Sequence, residues 1–317
     1  MSIKTKGTGS YAPEKIITND DLAKMVETSD EWITQRVGVK QRRVSTGETA
    51  ADFALYAAKE AMANAGVDVS EIDIIICATI SSETVCPTVA GMVQARLGAQ
   101  CPAFDISSAC SGFLFALDTA VSFIERGGIR NALVIGAERI SKLIDWTDRN
   151  TCVIFGDGAG AFVVSPGENY LSSKLATHGG NEVIEIPGFG GTSPFFEKEH
   201  KRPYIFMDGQ ETFKFAVKKI VDDTKEVVEK AGLALSDIDY IVPHQANIRI
   251  IEYASKRLGI PMEKFVVNID RYGNTSAASV PMAMDELAKS GKLKGGEKIV
   301  MCAFGGGLSS AACVIKW

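Results

Sequence analysis

Residues 65–77 read AGVDVSEIDIIIC, and residues 231–243 read AGLALSDIDYIVP. Six of the thirteen positions are identical, at a constant offset of 166. The same offset lays LVIGA (133–137) on IVMCA (299–303), and it sets FDISSACSG (104–112) against the RYGNTSAA segment so that Cys110 falls on Ser276. An ungapped register spanning about seventy residues is the mark of an internal duplication. Two homologous halves are expected, near residues 1–165 and 166–317.

Working outward, each half reads as helix, strand, helix, strand. Thr49 to Ala65 is an Ala-rich helix closed by Gly66, and Ile72 to Thr79 is a continuous apolar run of the kind buried on both faces of a sheet. Pro87 to Leu97 predicts a helix, Pro102 to Ile106 a short strand, and Ser111 to Arg126 a helix with apolar residues at 113, 114, 117, 120, 121 and 124. Ala132 to Gly136 reads as a further buried strand. The Gly-Asp-Gly-Ala-Gly run at 156–160 reads as a tight turn, because no ribose-binding acid follows to make it a dinucleotide site. Strands alternating with helices predict layered α/β architecture, with the halves packed as a pseudo-twofold pair. Residues 166–208 read as irregular, with PGFGGTSP at 187–194 and EKEHKRP at 197–203, either an ordinary surface loop or a lid or pocket wall.

Composition bounds the function. The 317 residues are 46% hydrophobic and 23% charged, a soluble globular profile, and the net charge of -5 supplies no global basic field for nucleic acid or an anionic membrane. The opening MSIKTKGTG lacks an apolar core, so no export signal is read and a cytosolic enzyme is expected. Seven cysteines without a Cys-x-x-Cys pair are expected to be free thiols. With three histidines, none beside a cysteine in sequence, no metal site is expected.

Cys110 stands where the strand FDISSA meets the helix SGFLFALDTAV. The positive end of a helix favours a thiolate, which predicts a nucleophile there. Most cysteines are buried hydrophobes, and only this one has the strand-to-helix context. His244 follows the strand DYIVP and starts the expected helix QANIRIIEYASKRLG, and Asn274 lies two residues before the repeat partner of Cys110. The duplication therefore predicts that Cys110, His244 and Asn274 converge near the axis. Cys, His and Asn in this order also describe papain-like proteases, against which stand the duplication and the flank Ala109-Cys110-Ser111.

DISSACSGF around Cys110, VPHQAN around His244, RYGNTSAASVP around Asn274 and FGGGLS at 304–309 resemble the thiolase-like condensing enzymes, most closely the 3-oxoacyl-[acyl-carrier-protein] synthase III family. The likeness runs end to end, through DEWITQRVG (30–38) and DWTDRNTCVIFGDGAGA (145–161). It implies a duplicated αβαβα fold and a cytoplasmic, cofactor-free homodimer that starts fatty-acid synthesis from acyl-CoA and malonyl-acyl carrier protein (malonyl-ACP). Cys110 would take the acyl group, the N–H groups of Cys110 and Gly306 would form the oxyanion hole, and His244 and Asn274 would hold the malonyl thioester oxygen during decarboxylation.

The resemblance further implies that Trp32 and Arg149 sandwich the CoA adenine, that Thr28 touches it, that Arg36 meets the phosphates, and that Gly209 and Asn247 contact pantetheine. Without it, Trp32 and Arg36 mark only one face of a short helix. Lys214, Arg249 and Lys256 are the residues implied in docking the acidic carrier protein, where spacing alone describes a solvated face that also carries Tyr253. A degradative thiolase is set aside because Ala303 stands where it needs a second cysteine, Cys302 facing the other way along a strand. An elongating synthase needs a histidine at Asn274. Departures occur at Cys86, where well-known members have a phenylalanine that crosses the dimer interface to limit the acyl channel, at Gln210 in place of an asparagine, and in the tail GGGLSSAACVIKW. The small Cys86 predicts primers bulkier than acetyl unless neighbouring side chains fill the space. A secondary-metabolism acyltransferase of the same fold and a non-catalytic paralogue are the competing readings.

Overall fold

The computed structural model describes residues 2–186, 188, 194–195 and 203–317. Nine strands build two sheets. In the first half they are β1 (Ser2–Tyr11), β2 (Ile74–Ala78), β3 (Ala103–Ile106), β4 (Ala132–Arg139) and β5 (Asp157–Gly167), in the order β1-β5-β4-β2-β3. In the second they are β6 (Tyr170–Thr177), β7 (Tyr240–Pro243), β8 (Lys298–Gly305) and β9 (Ser309–Lys316), in the order β7-β8-β9-β6. In the first sheet β2 pairs in parallel with both β4 and β3, in the second the edge strand β7 pairs in parallel with β8, and the remaining pairs are antiparallel. Shifted by 166, β4 coincides with β8 in both its first and last residue.

Alternation along the strands sorts the core into three apolar layers. Ile75, Cys77, Leu133 and Ile135 face outward onto helices α1 (Ala50–Ala65) and α2 (Val89–Leu97). Ile74, Ile76, Val134, Met301 and Ala303 face inward onto α3 (Gly112–Arg126) and α6 (Ser279–Lys289), which fill the space between the sheets. Val300, Cys302 and Phe304 face outward again, onto α4 (Gly209–Lys230) and α5 (Ile248–Leu258). The result is helices, sheet, helices, sheet, helices: the five-layered αβαβα fold. Cys302 and Ala303 do point to opposite faces, since successive strand residues must.

Local chemistry accounts for the elements. Thr49 caps α1 in a reciprocal capping box with Asp52, and Gly66 ends that helix in the left-handed region at φ 61°. Two sequence expectations need correction. The 156–160 glycine run is no tight turn, for Asp157 onward is strand β5. Gly158 and Gly160 are there because α6 crosses so closely that a Cβ on Gly160 would lie 2.7 Å from backbone and side-chain atoms of Pro281 and Met282, and Gly156 because Tyr272 O lies against it. Nor is 166–208 irregular throughout: Tyr170–Thr177 pairs with β9 as a sheet edge, hidden in sequence by its poverty in β-branched residues. Much of the 187–203 stretch expected as loop or lid lies outside the described residues.

Candidate active site

Cys110 sits in a single 3₁₀ turn, Ala109–Ser111, that feeds α3. Ala109 holds φ 45°, a costly conformation for a residue with a Cβ, and it aims the thiol out of the sheet layer. The turn is pinned to the glycine loop by hydroxyls. Ser111 Oγ lies 2.8 Å from Ser309 Oγ, and Ser309 Oγ donates to Gly306 O at 2.8 Å. The N–H groups of Cys110 and Gly306 both act to lower the pKa of the sulfur.

The thiol's acidity is not as the helix end alone predicts. Burial, with a smaller push from the Glu138 carboxylate, raises the Cys110 pKa to about 11, while Ser276 and the two backbone N–H groups pull against it. Taking a thiolate out of water costs more here than the helix end returns. The expectation of a thiolate is therefore corrected to a thiol, on a half-buried residue.

His244 follows β7, but the helix expected to start there begins at Ile248, capped by Asn247. The ring is buried, packs edge-on against Phe304 at 5.3 Å between centroids, and places Nδ1 2.6 Å from Ser279 Oγ. Ser279 Oγ also accepts the Gln245 N–H at 3.3 Å, so its own proton is free for Nδ1. With Ser279 donating to Nδ1, the ring proton sits on Nε2. Burial lowers the His244 pKa to about 3, which keeps the ring neutral and Nε2–H a donor.

Asn274 is oriented the same way. Its Oδ1 accepts the Ser276 N–H at 2.8 Å, which leaves its amide NH₂ free to donate. Its backbone is bonded to Ile154 O and Gly156 N of the first half, at 2.8 and 3.0 Å. Cys110, His244 and Asn274 line one cavity of about 140 Å³, together with Ser276, Phe304, Gly305 and Gly306. Ile184, Ile186, Ile205 and Met207, from the flanks of the irregular stretch, make its apolar wall.

A second cavity shares Gly209, Phe213 and Asn247 with the first and is otherwise lined by Arg36, Gln210, Lys214 and Arg249. Asn247 is already engaged, donating to Arg36 O at 3.0 Å and capping α5. Trp32, on the helix Asp30–Arg36, carries the Arg149 guanidinium over its ring at 4.9 Å and that of Arg36 at 5.7 Å. Arg149 is thus closed onto the indole, and Thr28 Oγ1 beside that helix is buried without a hydrogen-bond partner. Lys214 is paired with Glu211 at 2.7 Å, and Arg249 lies over Phe213 at 5.8 Å. Lys256 is two turns further along α5, roughly 10 Å from Arg249. Cys86 is exposed beside Val85, which is 71% exposed, and neither is among the residues that line this cavity.

Sequence reading missed Ser276, Ser279, Phe304 and Glu138. Ser276 had a signal, being the repeat partner of Cys110, and so had Glu138, a carboxylate ending the apolar run LVIGA. Ser279 acts only through its hydrogen bond to the imidazole and Phe304 through its packing on it.

Residues 104–179 match the family described as 3-oxoacyl-[acyl-carrier-protein (ACP)] synthase III, and residues 228–317 match its C-terminal part. The chain is 49% identical to β-ketoacyl-[acyl-carrier-protein] synthase III of Clostridium acetobutylicum, over all of this chain and 99% of that one. The crystal structure of 3-oxoacyl-[acyl-carrier-protein] synthase III from Aquifex aeolicus is similar at TM-score 0.93 and 46% identity, covering 99% of this chain and all of that one. The priming β-ketosynthase of the R1128 polyketide pathway is similar at TM-score 0.90 and 35% identity, covering 99% and 96%. Fold and likeness together define an acyl-transferring condensing enzyme of the thiolase-like class. Within that class, the chain belongs to the 3-oxoacyl-[acyl-carrier-protein] synthase III family.

Proposed function

We propose that the enzyme starts type II fatty-acid synthesis by condensing an acyl-CoA primer with malonyl-ACP. Cys110 sulfur attacks the acyl-CoA carbonyl, whose oxygen takes the N–H bonds of Cys110 and Gly306, and CoA leaves as the thiol. Malonyl-ACP then binds with its thioester oxygen on His244 Nε2–H and the Asn274 amide. The bond to its carboxylate breaks, CO₂ departs, and the electron pair forms an enolate whose charge those two donors stabilise. The enolate carbon attacks the acyl carbon, the C–S bond to Cys110 breaks, and 3-oxoacyl-ACP is released. A neutral His244 suits this work, since it must donate a hydrogen bond and not hold a proton. The observation that carries the reading is the convergence of one thiol, two backbone N–H groups and two oriented side-chain donors in a single apolar cavity.

On the same reading Trp32, Arg149, Thr28 and Arg36 receive the CoA nucleotide once Arg149 swings off the indole, Gly209 and Asn247 flank pantetheine, and Lys214, Arg249 and Lys256 meet the carrier protein. The exposed Val85 and Cys86 fit a face covered by a second copy in a homodimer, where Cys86 would gauge the acyl channel. The enzyme is placed in the cytoplasm, and residues 1–165 and 166–317 are its two homologous halves. A priming role in a secondary pathway is the second reading, favoured by the likeness to the polyketide priming enzyme.

Intact mass spectrometry after mixing with a panel of acyl-CoAs, then with malonyl-ACP, tests the proposal. An acyl adduct that Cys110→Ala abolishes, followed by CO₂ and 3-oxoacyl-ACP, is expected. Absence of any adduct overturns it.

A further inference from the structure

One buried acid next to the cavity has no part in the reaction as described. Glu138 is fully buried at the end of β4. Its Oε2 accepts from Thr79 Oγ1 at 3.3 Å, from the Ile80 N–H at 3.2 Å and from Ser81 Oγ. Its Oε1 accepts from Ser276 Oγ at 3.1 Å, and Ser276 lines the same cavity as Cys110, whose thiol pKa it pulls down. Acid and hydroxyl therefore reach from Glu138 to the cavity that holds the thiol. The middle link is held deliberately: Ser276 has φ 50°, and with Ala109 it is one of two non-glycine residues of positive φ among the described residues, both beside the sulfur.

The proton that Cys110 loses on acylation needs an acceptor. His244 is poorly suited, with Nδ1 committed to Ser279 and burial resisting an imidazolium. Glu138 is otherwise placed. Burial raises its pKa to about 7, against the pull of its donors, Ser81 first and then the Ile80 N–H, Ser276 and the Ala277 N–H. The other titratable groups that feel it are the Cys77 and Cys110 thiols and the Lys142 ammonium, which is held by Ser82 O at 2.8 Å and Glu83 at 3.4 Å. An acid of this strength takes and returns a proton near neutrality, the condition for efficient general acid-base work.

We propose that Ser276 is a catalytic hydroxyl of the acylation step and that Glu138 is the positioning residue behind it, receiving the thiol proton through it. The thiol proton passes to Ser276 Oγ as the Ser276 proton passes to Glu138 Oε1. Cys110 sulfur forms its bond to the acyl carbon, the bond to the CoA sulfur breaks, and the proton returns along the same path to the CoA thiolate. The net products are acyl-Cys110 and CoA thiol. This rests on the reading of Cys110 as the acylated nucleophile.

The test is the rate of acyl-Cys110 formation from the best acyl-CoA, by intact mass in single turnover, as a function of pH. Iodoacetamide alkylation of Cys110 gives a substrate-free second readout. Ser276→Ala and Glu138→Gln are expected to slow both reactions by about a hundredfold near neutral pH, the ordinary yield of a positioned base. The loss should shrink as pH rises and the thiol ionises unaided, and the double variant should be no slower than either single one. Ser276→Gly, which the positive φ accommodates, keeps the test open where a variant fails to fold. Wild-type pH profiles in folded Ser276 variants, or a loss of equal size at every pH, overturn the relay. No adduct on the wild-type enzyme would instead overturn the nucleophile assignment beneath it.

Discussion

The Ser276 N–H donates to Asn274 Oδ1 at 2.8 Å, and that bond decides which end of the Asn274 amide faces the cavity. The carbonyl oxygen is spent on the turn, so the NH₂ is presented to substrate. Asn274→Asp keeps the turn but puts an oxygen where a donor stood. Decarboxylation of malonyl-ACP is expected to fall by about a hundredfold to a thousandfold, the usual yield of removing one oxyanion donor. Acylation of Cys110 should survive, so CO₂ release and acyl adduct are to be measured separately.

Gly305 lies directly behind the nucleophile. A Cβ there would fall 2.7 Å from Cys110 Cβ and 3.0 Å from its backbone nitrogen. Gly305→Ala must therefore push the Cys110 turn away from its oxyanion donors, and a shift on the order of 1 Å can cost about a hundredfold. Acyl adduct formation by mass spectrometry is expected to slow accordingly while the circular dichroism spectrum is retained.

Arg149 lies over the Trp32 ring at 4.9 Å and donates to Glu27 O at 2.9 Å. An exposed cation–π contact contributes up to about 1 kcal/mol. Arg149→Ala is expected to raise KM for acyl-CoA by about fivefold and to leave kcat for the malonyl half-reaction unchanged, as steady-state kinetics would record.

Cys86 offers a small side chain on an exposed segment. If this segment gauges the partner's acyl channel, the wild-type enzyme accepts butyryl-, isobutyryl- and octanoyl-CoA as well as acetyl-CoA. Cys86→Phe should then narrow the range towards acetyl. A primer panel on both proteins checks it, and rejection of every longer primer by the wild type would count against the pocket assignment.

His244 links the site to acid stability. Its folded pKa of about 3 lies below its unfolded value near 6.5. The unfolded chain therefore binds the proton first, and the stability His244 contributes above pH 6.5 drains as pH falls towards 3. His244→Gln should lose less Tm than the wild type over that interval. Glu138 has the opposite sign: with its pKa raised to about 7, its contribution is present at low pH and lost as pH rises through 7.

The repeat was legible because selection on a buried strand and its capping turn keeps the same apolar types at the same spacing. AGVDVSEIDIIIC and AGLALSDIDYIVP became β2 and β7 with their preceding turns. The three residues Cys110, His244 and Asn274 were equally legible, since each stands at an element end whose type the local pattern declares. Less visible was β6, whose YLSSKLAT draws its strand character from the edge of β9. Gly158 and Gly160 were misread because what they accommodate, α6, is 120 residues away.

By itself the sequence determined the duplicated layered fold, the family and the three residues, Cys110, His244 and Asn274, that the structure brings to one cavity, all matters of local pattern and register. Only the tertiary structure decided the state of those groups. Burial turned an expected thiolate into a thiol, set the tautomer of His244 through Ser279 and the amide of Asn274 through Ser276, and bonded Glu138 to a hydroxyl of the residue that shares the cavity with Cys110. Desolvation and hydrogen-bond direction depend on what surrounds a group in space, and no spacing along a chain records that.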